Sequence, residues 1–134
     1  MKSAGRAAGV DAPRIFLDAD AVIAGMCAGS VESAAYVLLL LGEATLIDAV
    51  VSQQVVVEVS RNVARLLPDR APEAELVLRR ACRLVETPPD GAVAVAADWA
   101  HPKDAPILAA ALASGCRTLV TFNGRDFRPP SDRL

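Results

Sequence analysis

Short apolar runs alternate with longer helical patterns along most of the chain. Strands are predicted at residues 14–18, in a segment ending near Ser52, at 83–87 and at 116–122. Helices are predicted at 20–28, 32–44, 52–67, 71–82, 92–100 and 104–115. The apolar strands do not alternate with polar residues, which is typical of parallel strands covered on both faces. The pattern therefore predicts an α/β protein, a three-layer α/β/α sandwich around a central parallel sheet.

The helix over 52–67 carries a further local signal, because Ser52 stands where a serine hydroxyl can cap the first turn. The helix over 104–115 is predicted to end at Gly115.

Composition sets the size and character of the core. The chain has 134 residues, of which 53% are hydrophobic but only 4% aromatic, so the core is expected to consist of Ala, Val and Leu. We expect a flexible tail over residues 1–12 and a single domain over residues 13–134. The formal net charge of −2 argues against general nucleic-acid binding but permits a local basic groove.

The N-terminal residues contain no apolar stretch typical of a signal peptide. The most apolar run, residues 36–41, is far shorter than the roughly 20 residues that cross a bilayer. Cys27, Cys82 and Cys116 are too scattered for a disulfide framework or a thiolate metal site, and we expect them to be buried. These features predict a cytoplasmic protein without a membrane partner.

Polar residues follow the first and the last predicted strands. Asp18 and Asp20 come directly after the first strand, and Thr121, Asn123 and Asp126 come at the end of the last strand or just beyond it. Ligand sites in open parallel sheets form at the carboxyl ends of the strands. These side chains are therefore expected to share one site.

Two further acids are predicted to face the same region from helices. Asp104 precedes Ile107 and Leu108 by three and four residues, which puts it on their apolar stripe. Glu58 falls at the edge of the apolar stripe of its own helix, neither buried nor fully exposed. That stripe consists of Val55, Val59, Val63 and Leu66.

Acids that converge in this way repel one another unless a cation neutralises them. Hard oxygen ligands suit Mg²⁺ or Mn²⁺. Taken singly, Asp20 and Asp104 could be helix caps, Glu58 a solvated side chain and Asp126 a turn residue. Asp18 is harder to explain in this way, because it closes a buried strand. The combination favours a metal site.

The segments "IFLDADAVI", "VVVEVSRNV", "HPKDAPILAAAL" and "TLVTFNGRDF" occur in an order that resembles the PIN domain, the nuclease fold of VapC-type toxins. The resemblance covers Arg14 to Phe127. It implies that Asp18, Glu58 and Asp104 are the first three site acids and that Thr121 is the threonine or serine opening the last motif.

The fourth acidic position departs from the pattern of this family. PIN domains often carry an acid two residues after the threonine, where this chain has Asn123, and Asp126 follows three residues later. They also often have asparagine at the position of Asp20. Asp126 is the candidate for the fourth metal ligand.

The resemblance implies a metal-dependent endoribonuclease that uses Mg²⁺ or Mn²⁺ to hydrolyse RNA phosphodiester bonds. Asp18 and Asp104 would be the principal ligands, and Glu58 would ligate the metal or orient water. Thr121 and Asn123 would position water or phosphate. The resemblance further implies the toxin component of a toxin–antitoxin pair, an antitoxin protein as partner and a homodimer. Arg61 and Arg65 are candidate phosphate contacts.

Two alternatives remain open from the sequence. One is a degenerate PIN-like domain that binds RNA or protein without catalysis. The other is a phosphatase similar to haloacid dehalogenases, with Asp18 as nucleophile and Asp20 as general acid–base. Ser52 and Lys103 could supply the serine and lysine that this mechanism needs, but no later strand ends in paired acids.

Overall fold

A computed structural model describes residues 11–28 and 30–127, without the side chains of residues 125 and 126. Four strands form one parallel sheet in the order β3-β2-β1-β4. The strands are β1 (Arg14–Leu17), β2 (Asp48–Ser52), β3 (Arg83–Val85) and β4 (Thr118–Val120). The helices are α1 (Ala19–Ala28), α2 (Ala34–Glu43), α3 (Gln53–Leu66), α4 (Ala71–Ala81), α5 (Asp90–Ala96) and α6 (Ala105–Ala113). Short 3₁₀ turns occupy Pro68–Arg70 and Gly124–Phe127.

The order of the strands explains the three-layer arrangement. The chain moves in one direction from β1 to β2 to β3, then crosses back to β4 beyond β1. Because parallel crossovers are right-handed, the reversal puts α5 and α6 on the opposite face from the first four helices. The contacts agree, since α1 and α4 both pack against α2 and α3, whereas α5 packs against α6. The predicted α/β/α sandwich is confirmed.

The predicted helices and strands are all present, and the differences lie at their ends. The helix predicted over 92–100 is α5, which begins at Asp90 directly after Pro89 and ends at Ala96. It ends early because Asp98 and Trp99 bond to carbonyls three residues back, as in a turn. The predicted third strand stops at Val85, before Pro88 and Pro89.

The core surrounds β2, whose five residues are all buried. Val55, Val59 and Val63 of α3 are buried in this core, as the predicted apolar stripe requires. The prediction is wrong for Leu66, the last residue of α3 and of that stripe, which is exposed. Small aliphatic side chains dominate the core, and Phe16 is the aromatic residue within it. The expectation of a core built from alanine, valine and leucine is confirmed.

An ion-pair cluster joins three strands at the amino edge of the sheet. The buried carboxylate of Asp48 accepts hydrogen bonds from Arg83 Nη2 at 2.7 Å and from Arg14 Nε at 3.1 Å. Each of these three residues is the first of its strand, and Arg14 lies opposite Asp48 in the register. This end of the sheet therefore balances its buried charge with side chains of its own.

The predicted serine cap of α3 and the predicted glycine end of α6 are both confirmed. The Ser52 hydroxyl accepts a hydrogen bond from the backbone N–H of Val55 and caps α3. Gly115 ends α6 with a φ of 77°, in the left-handed region that favours glycine.

The prediction for the cysteines is correct for Cys82 and Cys116 but wrong for Cys27, which is exposed. Cys27 lies in the last turn of α1, where the helix leaves the core. None of the helices in the described part of the chain is long and apolar enough to cross a membrane. The tail predicted over 1–12 lies, up to residue 10, outside the described residues.

Gly42 marks a close approach of α2 to α4, because a Cβ there would collide with the carbonyl oxygen of Ala81. We predict that Gly42→Ala lowers the free energy of unfolding by about 2 kcal/mol or more, as overpacking does. Denaturant titration measures the change.

Gly91→Ala is the matched control, since no atom lies within 4 Å of the added Cβ in α5. It should leave stability unchanged or raise it by about 0.5–1 kcal/mol. Equal stability of Gly42→Ala and the wild type would contradict the packing of α2 described above.

Candidate active site at the carboxyl edge of the sheet

Asp18 follows β1 and is only 6% exposed. Its backbone N–H donates to the carbonyl of Val120 in β4 at 3.0 Å, so sheet pairing fixes its position. Its carboxylate accepts two hydrogen bonds, from the backbone N–H of Ala19 at 2.8 Å and from Thr121 Oγ1 at 3.0 Å. The strand end thus carries a buried and tightly held acid.

The electrostatic environment of Asp18 is unfavourable to its charged form. Burial raises the pKa of the Asp18 carboxyl to about 6. The neighbouring charges of Asp20 and Asp104 contribute to this rise, whereas the hydrogen bonds from Ala19 and Thr121 oppose it. The acid is therefore surrounded by like charge as well as by protein.

Asp104 is also 6% exposed, as its predicted place on the apolar stripe requires. It occupies the N-cap position of α6, but its side chain makes no capping hydrogen bond. The lone capping role considered for this residue is therefore not observed.

Glu58 is half-buried in the second turn of α3, as predicted. Its Oε1 accepts a hydrogen bond from Gln54 Nε2 at 3.1 Å. The same amide lies 3.3 Å from the carbonyl oxygen of Lys103, next to Asp104. Gln54 therefore links α3 to the start of α6 and keeps the two acids on one side of the molecule.

A pocket of about 310 Å³ brings these elements together. Four of the predicted site residues line it, namely Asp18, Glu58, Asp104 and Asn123. Thr121 joins them through its hydrogen bond to Asp18, and its hydroxyl also accepts the backbone N–H of Asn123 at 3.0 Å. Asp126 lies in the 3₁₀ turn, and its side chain is outside the described part of the chain.

Asp20 lies in the site, as its place directly after the first strand predicts, although the metal ligands expected from the sequence do not include it. It lines the pocket, and its Oδ2 accepts a hydrogen bond from the backbone N–H of Phe122 at 3.2 Å. Its Oδ1 is buried and has no hydrogen-bond partner among the described residues. Its position directly after a strand end was the signal in the sequence, whereas its contact with the loop after β4 is visible only in the structure.

Basic and amide side chains complete the pocket. Arg61, Asn62 and Lys103 contribute to its lining. Arg65, the other candidate phosphate contact, instead donates to Asn62 Oδ1 at 3.3 Å. His101 is exposed, and its Nδ1 accepts the backbone N–H of Lys103.

The oxygen donors match a divalent cation in chemistry and charge, because they are carboxylates and the charges of Asp20 and Asp104 disfavour the ionised form of Asp18. The unpaired Oδ1 of Asp20 points to the same need for a positive partner. Within residues 11–28 and 30–127, however, no group of three or more acidic, histidine or cysteine side chains is arranged to hold a metal ion as it stands. The acids share a pocket without forming a closed set of ligands.

A sequence model of a known family, described as the PIN domain, matches residues 14–125. Comparisons with curated proteins and with solved structures found no significant match. The matched segment begins with β1 and ends after Asn123, so it contains every residue that lines the pocket.

The raised pKa of Asp18 predicts a pH-dependent stability of the metal-free protein. A carboxyl with a higher pKa in the fold than in the unfolded chain stabilises the fold at low pH, and this contribution is lost as the pH rises through about 6. Asp18→Asn removes the charge and keeps an oxygen for the N–H of Ala19. In EDTA it should raise the free energy of unfolding by about 2–3 kcal/mol at pH 8 and by little at pH 4.

Thermal and urea unfolding between pH 4 and pH 8 measure this difference. Asp98→Asn, at an exposed position, is the control and should behave as the wild type throughout. A loss of stability of 1 kcal/mol or more for Asp18→Asn at pH 8, roughly the net value of a lost hydrogen bond, would mean that Asp18 is a structural acid.

Proposed function

The chain belongs to the PIN domain family, whose members are generally nucleases, and we propose that it is a metal-dependent endoribonuclease. One observation carries the proposal: Asp18, Glu58 and Asp104 come from three separate elements and line one pocket at the carboxyl edge of the sheet. A fold gains nothing in stability from gathering buried acids. Their meeting is explained if a cation and a phosphodiester bind there.

Divalent metal ions are typical of PIN domains, and we propose Mg²⁺ or Mn²⁺ for this one. Asp18 and Asp104 would be the principal ligands, and Glu58 would complete the set or orient water. The bound ion would lower the pKa of a water molecule and neutralise charge on the phosphate. Because the acids in the described part of the chain are not arranged to hold a metal ion as they stand, ion binding should be accompanied by their rearrangement.

The remaining pocket residues have distinct parts in this proposal. Thr121 orients the carboxylate of Asp18 by donating to its Oδ2. Asn123 lines the pocket with an exposed amide that can bond to phosphate or water. Arg61 and Lys103 place positive charge beside the acids, where the backbone of a nucleic acid would lie.

Single-stranded or looped RNA is the proposed substrate, because its backbone can enter a shallow cleft that a duplex cannot. We also propose a cytoplasmic toxin of a toxin–antitoxin pair, acting as a homodimer and neutralised by an antitoxin protein. The three cysteines are free thiols, as expected in a reducing compartment. A neighbouring open reading frame for a small DNA-binding protein would support the toxin assignment.

A binding domain without catalysis is the second candidate. Two observations favour it, namely the amide of Asn123 at the fourth position and the lack of a closed ligand set in the described residues. Membership of the PIN domain family argues against the phosphatase alternative. The Ser52 hydroxyl that a phosphatase would need is also buried and caps α3.

We predict that the protein cleaves a labelled single-stranded RNA in the presence of Mn²⁺ and that EDTA abolishes the cleavage. Asp18→Asn and Asp104→Asn should each reduce the rate by about 100-fold or more, because each removes a charged ligand. Gel analysis of the products measures the rates. Asp98→Asn, whose carboxylate is exposed and away from the pocket, should cleave like the wild type.

Two results would contradict this proposal. Undiminished cleavage by Asp18→Asn would place the reaction elsewhere. Tight RNA binding without Mn²⁺-dependent cleavage would instead support the binding domain. A phosphomonoester included in the same assay should release no phosphate.

A further inference from the structure

Asp20 connects the start of α1 to the loop after β4. Its Oδ2 accepts a hydrogen bond from the backbone N–H of Phe122 at 3.2 Å and lies 3.5 Å from Thr121 Oγ1. The loop next to Asn123 is therefore held against a carboxylate that also lines the pocket. One oxygen of Asp20 is thus accounted for by structural contacts.

The other oxygen of Asp20 has no such role. Oδ1 is buried and lacks a hydrogen-bond partner among the described residues. A buried carboxylate oxygen without a donor costs free energy comparable to a lost hydrogen bond, so its presence calls for a positive partner. Because Asp20 lines the pocket beside Asp18 and Asp104, a cation in that pocket would supply this partner.

The charges around the pocket support this argument. Asp18, Asp20, Glu58 and Asp104 face two basic side chains, so the lining carries two net negative charges, which one divalent cation would balance. Asn123 lines the same pocket, but its amide oxygen carries no formal charge. Without Asp20 the lining would carry one net negative charge, one fewer than a divalent cation needs for balance.

We propose that Asp20 is the fourth carboxylate of the site, ligating the divalent cation through Oδ1 and supplying the negative charge that Asn123 does not carry. This inference rests on the proposed metal-dependent function. It differs from the sequence-based assignment, in which Asp20 belonged to the shared site without a role as metal ligand and Asp126 was the candidate fourth ligand.

Binding of Mn²⁺ alone, measured by isothermal titration calorimetry in the absence of RNA, tests the proposal. Asp20→Asn should weaken Mn²⁺ binding by about tenfold or more, because it removes a charged ligand but retains an oxygen for the N–H of Phe122. The double variant Asp20→Asn with Asn123→Asp should recover much of this loss, since it moves the carboxylate to the adjacent loop. Asp98→Asn should bind Mn²⁺ as the wild type does.

Asp20→Glu separates direct ligation from a general effect of charge. It keeps the negative charge but moves the oxygens by one methylene, so direct ligation predicts weaker Mn²⁺ binding. Thermal melting in EDTA tests whether each variant is folded. If Asp20→Asn does not fold, Asp20→Glu is the deciding variant.

Wild-type affinity for Mn²⁺ in either Asp20→Asn or Asp20→Glu would overturn the proposal and leave the ribonuclease assignment intact. A wild-type protein that binds no Mn²⁺ and cleaves RNA in EDTA would overturn both the proposal and the metal-dependent mechanism.

Discussion

The carboxyl group of Asp18 is buried at the end of a strand inside the sheet, and much of the site follows from this constraint. The backbone hydrogen bond to Val120 fixes the residue in the sheet, and burial raises the pKa of its carboxyl group to about 6. Two hydrogen bonds lower the cost of the charge, but Asp20 and Asp104 raise it again. The electrostatic balance of this edge is incomplete without a positive partner, and a bound cation is the simplest one.

The opposite edge of the same sheet shows how the protein treats a buried acid that has a structural purpose. Asp48 is as well buried as Asp18, but two arginines bond to it and join three strands. At the carboxyl edge the acids outnumber the basic side chains, since Arg61 and Lys103 are the two basic residues in a pocket lined by four acids. Stability is secured at one end of the sheet, while the other end retains unbalanced charge of the kind that functional sites carry at a cost in stability.

The sequence was sufficient to predict the layers, the order of the helices and strands, and the shared pocket of Asp18, Glu58 and Asp104. Helical spacing located Asp104 and Glu58, and a buried strand located Asp18, so each prediction depended on local periodicity. The hydrogen bond from the backbone N–H of Phe122 to Asp20 was not predictable in this way, because it depends on how the loop after β4 folds back onto α1. The same holds for Gln54, whose contact with Lys103 joins residues far apart in the chain. The exposure of Cys27 and the early end of α5 likewise depend on local packing that periodicity does not describe.

The most direct test of this account is a crystal structure of the protein grown with Mn²⁺ and recorded at a wavelength where manganese scatters anomalously. The account predicts an anomalous peak in the pocket lined by Asp18, Asp20 and Asp104, with carboxylate oxygens at about 2.2 Å, the range for hard divalent cations. A pocket without a peak in crystals saturated with Mn²⁺, or a peak confined to another surface, would contradict it.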